Sequence, residues 1–90
     1  MLTPIYTNKF QKDINKIKKS GSKDFTEFKK IVELLINQMP LEPKHKDHKL
    51  IGNHIGRRDC HVEPDWIIIY MIQNDSIIFE RTGTHSELFK

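Results

Sequence analysis

The sequence contains few residues that would cross-link, export or anchor the protein. Cys60 is its one cysteine, so no disulfide can form within the chain and we expect a cytoplasmic protein. No apolar stretch approaches the roughly 20 residues of a membrane span, and residues 1–4 lack the basic and apolar blocks of a signal peptide. We therefore expect neither a membrane-spanning protein nor a disulfide-bonded secreted one.

Acidic residues are scarce at the start of the chain, although the net charge is only +3. Residues 1–30 hold eight lysines and three acidic residues, whereas residues 61–90 hold two basic and five acidic residues. A basic segment suits a nucleic-acid backbone or an acidic protein partner, but it is equally typical of a solvated lysine surface. Charge alone does not choose between these interpretations.

The remaining composition is sufficient for one folded domain over residues 1–90. The chain is somewhat shorter than the ~100–150 residues common for a single domain, yet 37% of it is hydrophobic. Residues 66–70 form a continuous apolar run, which argues against a disordered chain.

The N-terminal third predicts a short strand at residues 4–6 and then a helix. Thr7 or Asn8 can cap this helix, because a side-chain oxygen accepts from the free amides of the first turn, and Gly21 can end it. The apolar residues at helical spacing are Phe10, Ile14 and Ile17, and those on the opposite side are Lys9, Lys12, Lys16 and Lys19. The helix should therefore pack one side and present lysines on the other.

A second, more deeply buried helix should follow. The pattern Asp24-x-x-Glu27 resembles a capping box, and apolar residues recur from Phe28 to Met39 before Pro40 ends the helix. Residues 41–49 are rich in lysine, histidine and aspartate, so we expect a surface loop that does not pack into the core.

The C-terminal half changes to strand-like patterns. Residues 58–62 alternate, residues 66–72 are apolar on both faces as in a central strand, and residues 76–82 return after a turn. The whole predicts an α+β domain, with two N-terminal helices packed on one face of a small, mostly antiparallel sheet of four to five strands. The face that the helices leave open is where we expect a functional site.

Five polar residues of the C-terminal half can converge on that open face. They are His48, His61, Asp65, Arg81 and His85. Such a set suits cleavage of RNA by its own 2′-hydroxyl, in which a base takes the hydroxyl proton, an acid protonates the departing oxygen and a cation stabilises the phosphorane. Histidine has an ordinary pKa of ~6.5 and can accept or donate protons near neutral pH, and arginine binds phosphate oxygens with a planar fork.

One of these five residues and two aromatic ones could support this chemistry. Asp65 could fix the tautomer of a histidine or hold it protonated. Trp66 and Phe89 could stack an unpaired base, worth ~1–3 kcal/mol each. A tryptophan that begins an apolar strand is, however, more often part of the core.

The histidines and the arginine also have simpler interpretations. His61 on a strand is commonly a hydrogen-bonded structural residue, and Arg81 could pair with Asp59 or Glu80. His85 is harder to explain structurally, because it follows a glycine in a short polar tail with little packing to do.

Five histidines also raise the question of a metal ion. A zinc site could draw its ligands from His45, Asp47, His48, His54 and His61. No tight pair of Cys or His motifs is present, and Cys60 adjoins His61, so their side chains should point to opposite faces of a strand. The same geometry argues against a Cys60–His61 nucleophile pair. We expect no metal and no other cofactor.

Three ordered motifs resemble one known family. They are Lys46-Asp47-His48-x-Leu50-x-Gly52, then Arg58-Asp59-x-His61-Val62-Glu63-Pro64-Asp65-Trp66-Ile67-x-Ile69-Tyr70, then Arg81-Thr82-Gly83-Thr84-His85-x-x-Leu88-Phe89. Together they resemble the YafQ branch of the RelE/ParE superfamily, the toxins of type II toxin–antitoxin pairs. The match is strong over residues 44–89, while the helices agree in pattern and length.

The resemblance implies a metal-independent endoribonuclease that cleaves messenger RNA, typically on the ribosome, and is held inactive by a cognate antitoxin. We expect a monomer when free and a hetero-oligomer with the antitoxin. By motif position the catalytic residues are His48, His61, Asp65, Arg81 and His85, and the substrate-binding ones are Trp66 and Phe89. His85 most resembles the family's proton-transferring histidine, and the division of base and acid among the histidines stays open. Arg58 and the helix lysines would bind the RNA backbone, including ribosomal RNA.

Two departures from the family pattern matter for this expectation. Cys60 stands where a small alanine is usual, and it should pack without altering the chemistry. Residues 53–57 lack the aromatic and lysine character usual there, which puts in doubt a role for them in holding RNA. The alternatives are a non-catalytic module that binds antitoxin or nucleic acid, and a metal-dependent hydrolase.

Overall fold

The computed structural model describes residues 1–21, 23–52 and 56–89. Its elements are β1 (Thr3–Tyr6), α1 (Asn8–Ser20), α2 (Phe25–Ile36), a 3-10 turn (Pro43–His45), β2 (His48–Lys49), β3 (Arg58–Glu63), β4 (Trp66–Gln73), β5 (Ser76–Gly83) and α3 (His85–Leu88). The strands form one sheet in the order β1-β5-β4-β3-β2, in which only the β1–β5 pair is parallel. The predicted α+β fold is confirmed.

Helix α1 has the ends and the two faces that its sequence predicts. The Thr7 side chain accepts a hydrogen bond from the Phe10 amide, and Gly21 ends the helix in the left-handed conformation, at a φ of 68°. Phe10 is fully buried, whereas Ile14 and Ile17 pack against the core from its margin. The four lysines of the opposite side are exposed.

Helix α2 is shorter than predicted. Asp24 caps it by accepting from a first-turn amide, but Glu27 contacts His45 rather than completing a capping box. The helix ends at Ile36, after which Gln38 turns the chain with a φ of 56°. Met39, expected in the helix, lies beyond it and is 55% exposed.

Strand β4 lies at the centre of the sheet and is buried on both faces. Trp66, Ile68 and Tyr70 belong to the core beneath the helices. Ile67 and Ile69 point to the other face and are also buried. This burial explains the continuous apolar run of the strand, and it confirms the prediction of a central strand.

The core fills the space between the two long helices and one face of the sheet. Its members are Leu2, Phe10, Phe28, Ile31, Leu35, Cys60, Val62, Trp66, Ile68, Tyr70, Ile77 and Phe79. Phe28 stacks on Trp66, with their ring centroids 5.2 Å apart, which locks α2 onto β4. Among the described residues no helix has the length and apolar character to cross a membrane.

Candidate active site

Two rows of residues cross the sheet face that points away from the helices. One row is His48, Asp59, Ile69 and Arg81, and the next is His61, Ile67 and Gly83. Residues directly opposed on antiparallel strands point to the same face, and neighbouring strands lie about 4.8 Å apart. The register therefore brings two of the predicted histidines and the predicted arginine onto one face.

His48 and Asp59 form the pair at the β2 end of this face. Oδ1 of Asp59 lies 3.1 Å from Nδ1 of His48, but the proton on Nδ1 points to the Lys46 carbonyl oxygen, 2.6 Å away. Oδ1 of Asp59 is consequently a buried acceptor without a hydrogen-bond donor among the described residues. Burial raises the pKa of the Asp59 carboxyl, and the nearby His48, His61 and His85 only partly offset this effect.

His61 and His85 meet at the other end of the face. Their ring centroids are 6.1 Å apart, and the His85 ring also lies 5.1 Å from that of Phe89. Nδ1 of His61 donates to the Pro64 carbonyl oxygen. With Nδ1 protonated in His61 and in His48, a neutral ring carries its lone pair on Nε2, so each can accept a proton there.

Asp65 supports the site in a different way from the one expected. Its Oδ1 accepts a hydrogen bond of 2.9 Å from the backbone amide of His85, not from an imidazole. The contact fixes the first residue of α3 against the β3–β4 turn. Asp65 therefore positions His85 through the backbone.

The segment after Gly83 is a short helix rather than an irregular tail. The Thr84 side chain accepts from the Glu87 amide while Glu87 accepts from the Thr84 amide, which makes a complete capping box. Glu87 also pairs with Lys16 of α1 at 2.6 Å. A Cβ at Gly83 would lie 2.9 Å from the Glu87 carboxylate, so a larger residue there would displace the side chain that completes the capping box.

Arg81 is held by a carboxylate of α1 that the sequence did not single out. Nε of Arg81 donates to Oδ2 of Asp13 at 2.8 Å, and Nη2 donates to Oδ1 at 3.2 Å. This pairing raises the pKa of Arg81. Of the two expected partners, Glu80 pairs with Arg57, and Asp59 lies beside His48.

Trp66 does not form part of the substrate surface, and that expectation is wrong. The side chain is 1% exposed, and its indole N–H donates to Oγ1 of Thr82 in the core. Its faces and edges are covered by Phe25 and Phe28. A base cannot reach this ring without unfolding the core. Phe89, in contrast, is half-buried beside His85 and keeps its place in the site.

Arg58 also lies away from the histidines. It is opposed by Tyr70, whose side chain belongs to the helix-side core, so its own side chain points to that face. There Nε of Arg58 donates to the Tyr70 hydroxyl, and the guanidinium pairs with Asp47. The expected contact of Arg58 with RNA therefore lies apart from the histidine face and stays a prediction.

His45 is structural, although the loop that carries it was expected not to pack. It is 4% exposed, Nδ1 donates to the His61 carbonyl oxygen at 2.6 Å, and Nε2 lies 3.2 Å from Oε1 of Glu27. Both ring nitrogens are thus engaged. His54, the remaining histidine, lies outside the described residues, as do two other members of the segment 53–57.

Cys60 is inert for the reason that strand alternation predicted. It is fully buried in the core, on the opposite face from His61, and burial raises the pKa of its thiol. A thiol of this kind is neither a nucleophile nor a metal ligand at neutral pH.

Comparison with known proteins agrees with the fold and with the three motifs. The family described as bacterial toxin of type II toxin–antitoxin system, YafQ, matches residues 2–90. The chain belongs to the YafQ toxin family. A similar protein of this family, the mRNA interferase toxin YafQ of Escherichia coli K12, is 46% identical over 85 residues, which are 93% of this chain and 91% of that one.

Solved structures of toxins have a backbone fold similar to that of this YafQ-family chain. A copper-bound mutant toxin from Helicobacter pylori has a TM-score of 0.93 and 35% identity, over 99% of this chain and 100% of that one. The YafQ chain in the E. coli DinJ–YafQ complex has a TM-score of 0.88 and 43% identity, over 100% of both chains.

The copper in the H. pylori toxin prompts a test of the same ion here. Within residues 1–21, 23–52 and 56–89, no three His, Cys, Asp or Glu side chains are placed to hold a metal ion together. His48 and Asp59 lie close enough to supply two ligands, but Nδ1 of His48, the nitrogen nearest Asp59, already donates to a carbonyl. The part of the chain that the structure describes therefore shows no arrangement that fits a metal centre.

Proposed function

We propose that this YafQ-family toxin is an endoribonuclease that cleaves messenger RNA at the face bearing His48, His61, Arg81 and His85. The observation that carries the proposal is that one sheet face holds His48 beside the buried Asp59 carboxylate and, in the next row, His61 beside His85, with Arg81 in the row of Asp59. The E. coli relative named an mRNA interferase supports the same activity.

The groups suit cleavage by internal transesterification. A base removes the proton of the ribose 2′-hydroxyl, the O2′–P bond forms and the P–O5′ bond breaks. An acid returns a proton to O5′, which leaves a 2′,3′-cyclic phosphate and a 5′-hydroxyl. Positioned acid–base groups contribute about 10²–10⁴-fold each to such a reaction.

The geometry supports different contributions from the residues of this face. His48 and His61 each present Nε2 for proton transfer, and His85 lies between His61 and Phe89. The Asp59 carboxylate stabilises a histidine that gains a proton, since its Oδ1 has no other donor among the described residues. Phe89 supplies an aromatic ring against which a base can stack.

RNA cleavage of this kind requires no metal ion. The proton transfers and the phosphorane charge are served by imidazoles and a guanidinium. We therefore expect full activity in EDTA. Because the H. pylori relative binds copper, added Cu²⁺ belongs in the same assay, where we expect it to leave activity unchanged at concentrations that do not degrade RNA by themselves.

The partners follow from the charge and from the family. The exposed lysine side of α1 suits a phosphate backbone, and we expect the toxin to act on messenger RNA in the ribosome. A cognate antitoxin should bind the free monomer in a hetero-oligomer, as DinJ binds YafQ in E. coli. We expect the protein to act in the cytoplasm, where both proposed partners would be met.

The decisive experiment maps cleavage of one defined messenger, free and on ribosomes, by the wild type, His85→Ala and Ser86→Ala. Ser86 is an exposed residue of the same helix turn, so it controls for disturbance of α3. We expect cuts that end in a cyclic phosphate with the wild type and Ser86→Ala, and a loss of at least 100-fold with His85→Ala.

Two outcomes would reject parts of this proposal. Undiminished cleavage by His85→Ala would show that the assigned chemistry is wrong. Tight binding to RNA or antitoxin without cleavage, free or on ribosomes, would identify a non-catalytic binding module instead.

A further inference from the structure

Asp13 is a carboxylate of α1 that three donors of β5 converge upon. Two come from the Arg81 guanidinium, and the third is the backbone amide of Thr82, 3.1 Å from Oδ2. The Asp13 side chain is 15% exposed, and the residues lie 68 positions apart along the chain. Such a contact forms only in the folded domain.

Asp13 binds the side edge of the Arg81 guanidinium and leaves the end edge, between the two Nη atoms, available to a ligand. Arginine has five N–H donors in a planar fork, and Asp13 takes one from Nε and one from Nη2. Three donors remain, and two of them, one on each Nη atom, lie side by side on the end edge of the guanidinium. That edge can bind two phosphate oxygens at once, and the Arg81 side chain is 36% exposed.

A purely structural role does not need this geometry. The Thr82 amide contact alone would tie α1 to the edge of β5. The additional contacts fix the torsions of a long side chain that otherwise loses much of its rotamer entropy when it is ordered. An arginine already ordered by a carboxylate does not incur this cost when the phosphorane forms.

Helix α1 supports the other part of the site as well. Lys16, one turn after Asp13, pairs with Glu87 of α3, the helix that begins at His85. Asp13 and Lys16, on the same side of α1, thus hold Arg81 and the helix that begins at His85, the proposed proton-transferring histidine.

We propose that Asp13 is a positioning residue of the RNA cleavage site, which orients Arg81 so that its end edge meets the scissile phosphate. The inference rests on the proposed ribonuclease function. It has a distinctive kinetic consequence, because Asp13 also neutralises part of the charge that attracts RNA. Its loss should therefore lower kcat without raising KM.

The test compares steady-state cleavage by the wild type with Asp13→Asn, Arg81→Lys and the double variant, each with its thermal unfolding. Asn retains an acceptor for the Thr82 amide, so the fold should persist. We expect Asp13→Asn to lower kcat on the order of 10- to 100-fold with an equal or lower KM. The double variant should be no slower than Arg81→Lys.

Two further variants sharpen the comparison. Asn15→Ala changes an exposed neighbour on α1 and should cleave as the wild type does. Asp13→Glu keeps the charge but displaces it by one methylene, so its kcat should fall between those of the wild type and Asp13→Asn. Asp13→Glu carries the test by itself if Asp13→Asn does not fold.

The failures are distinguishable. A wild type that cleaves no RNA overturns the proposed function, and this inference with it. Wild-type cleavage with an unchanged kcat in Asp13→Asn and Asp13→Glu overturns the inference alone. So does a double variant whose losses multiply, since independent residues give additive free energies.

Discussion

Nδ1 of His48 lies 3.1 Å from a buried oxygen of Asp59, yet its proton is directed to a backbone carbonyl. The Asp59 carboxylate is therefore buried and has no hydrogen-bond donor among the described residues. His48, His61 and His85 are close enough to act on its charge. A protein does not gain stability from such a group. Its presence is best explained by function, as a stabiliser of positive charge that forms during catalysis.

Substitution of Asp59 by Asn should separate stability from activity. The pKa of Asp59 is raised in the folded state, so folding is penalised as the pH rises above the ordinary range of the carboxyl. At pH 7 we expect the free energy of unfolding of Asp59→Asn to exceed that of the wild type by about 1 kcal/mol. Its unfolding temperature should therefore be higher. The difference should shrink as the pH falls below 4, and cleavage should be slower at every pH.

Thermal unfolding from pH 3 to 8 and cleavage rates for both proteins would check this. A less stable Asp59→Asn at pH 7 would mean that the carboxylate holds the sheet together rather than serving the site.

Glu87 should make the C-terminal helix sensitive to acid. The hydrogen bond from Lys16 and the Thr84 amide lower the pKa of Glu87 to about 2. A lowered pKa stabilises the fold fully above the unfolded value of about 4.5, and the contribution is lost as the pH falls towards 2. Because Glu87 is partly exposed, we expect less than about 1 kcal/mol.

The comparison is between the wild type and Glu87→Gln, followed by thermal unfolding between pH 2 and 7. Their midpoints should differ at pH 6 and converge near pH 2. A constant difference across that range would contradict the assignment, since Gln has no charge to lose.

Trp66 and Phe89 should respond to truncation in opposite ways. Trp66→Ala removes a fully buried ring, so we expect a loss of about 3–5 kcal/mol in the free energy of unfolding. Phe89→Ala should change stability little and raise the KM for RNA, because its ring lies beside His85 at the surface of the site. Urea unfolding together with cleavage kinetics measures both effects. A stable Trp66→Ala protein with a selective loss of RNA binding would restore the stacking role.

His45 and His48 form a matched pair of histidines on one short segment. His45→Ala leaves the His61 carbonyl oxygen without the donor on Nδ1 and removes a buried ring, which should cost about 1–3 kcal/mol. His48→Ala removes a side chain that is 53% exposed, so stability should stay within about 0.5 kcal/mol while cleavage falls. Equal destabilisation by the two substitutions would contradict this division.

The parts of the fold that depend on local pattern were predictable from the sequence. Alternation along β3 placed Cys60 and His61 on opposite faces, and the turn after β4 predicted the β4–β5 hairpin. The face to which Arg81 points, in contrast, depends on a register shift between Ile69 and Tyr70 that the turn does not predict. The capping box of α3 was also readable in Thr84-x-x-Glu87, although the preceding glycine suggested an irregular tail. Patterns within about ten residues carry this information because they act through the backbone alone.

The contacts that complete the site could not be predicted in this way. Asp13 looks like one polar residue among the lysines of α1, and its partner lies 68 residues away. The contact of Asp59 with His48 depends on the register of β2 against β3, which the sequence does not reveal. Trp66 was assigned to RNA by motif position, whereas its neighbours Phe25 and Phe28 decide where the ring lies. Contacts of this kind can be predicted only when it is known which helices and strands pack against each other.

The parallel pairing of β1 with β5 sets the order in which this protein can be assembled. Thr3 is matched with Ser76, so the strand made first has no partner until the β4–β5 hairpin exists, and α1 cannot hold Arg81 before then. Contacts this distant in sequence form late and slowly. During synthesis the two long helices emerge well before the β4–β5 hairpin, so the groups of the proposed site can be brought together only after most of the chain has been made.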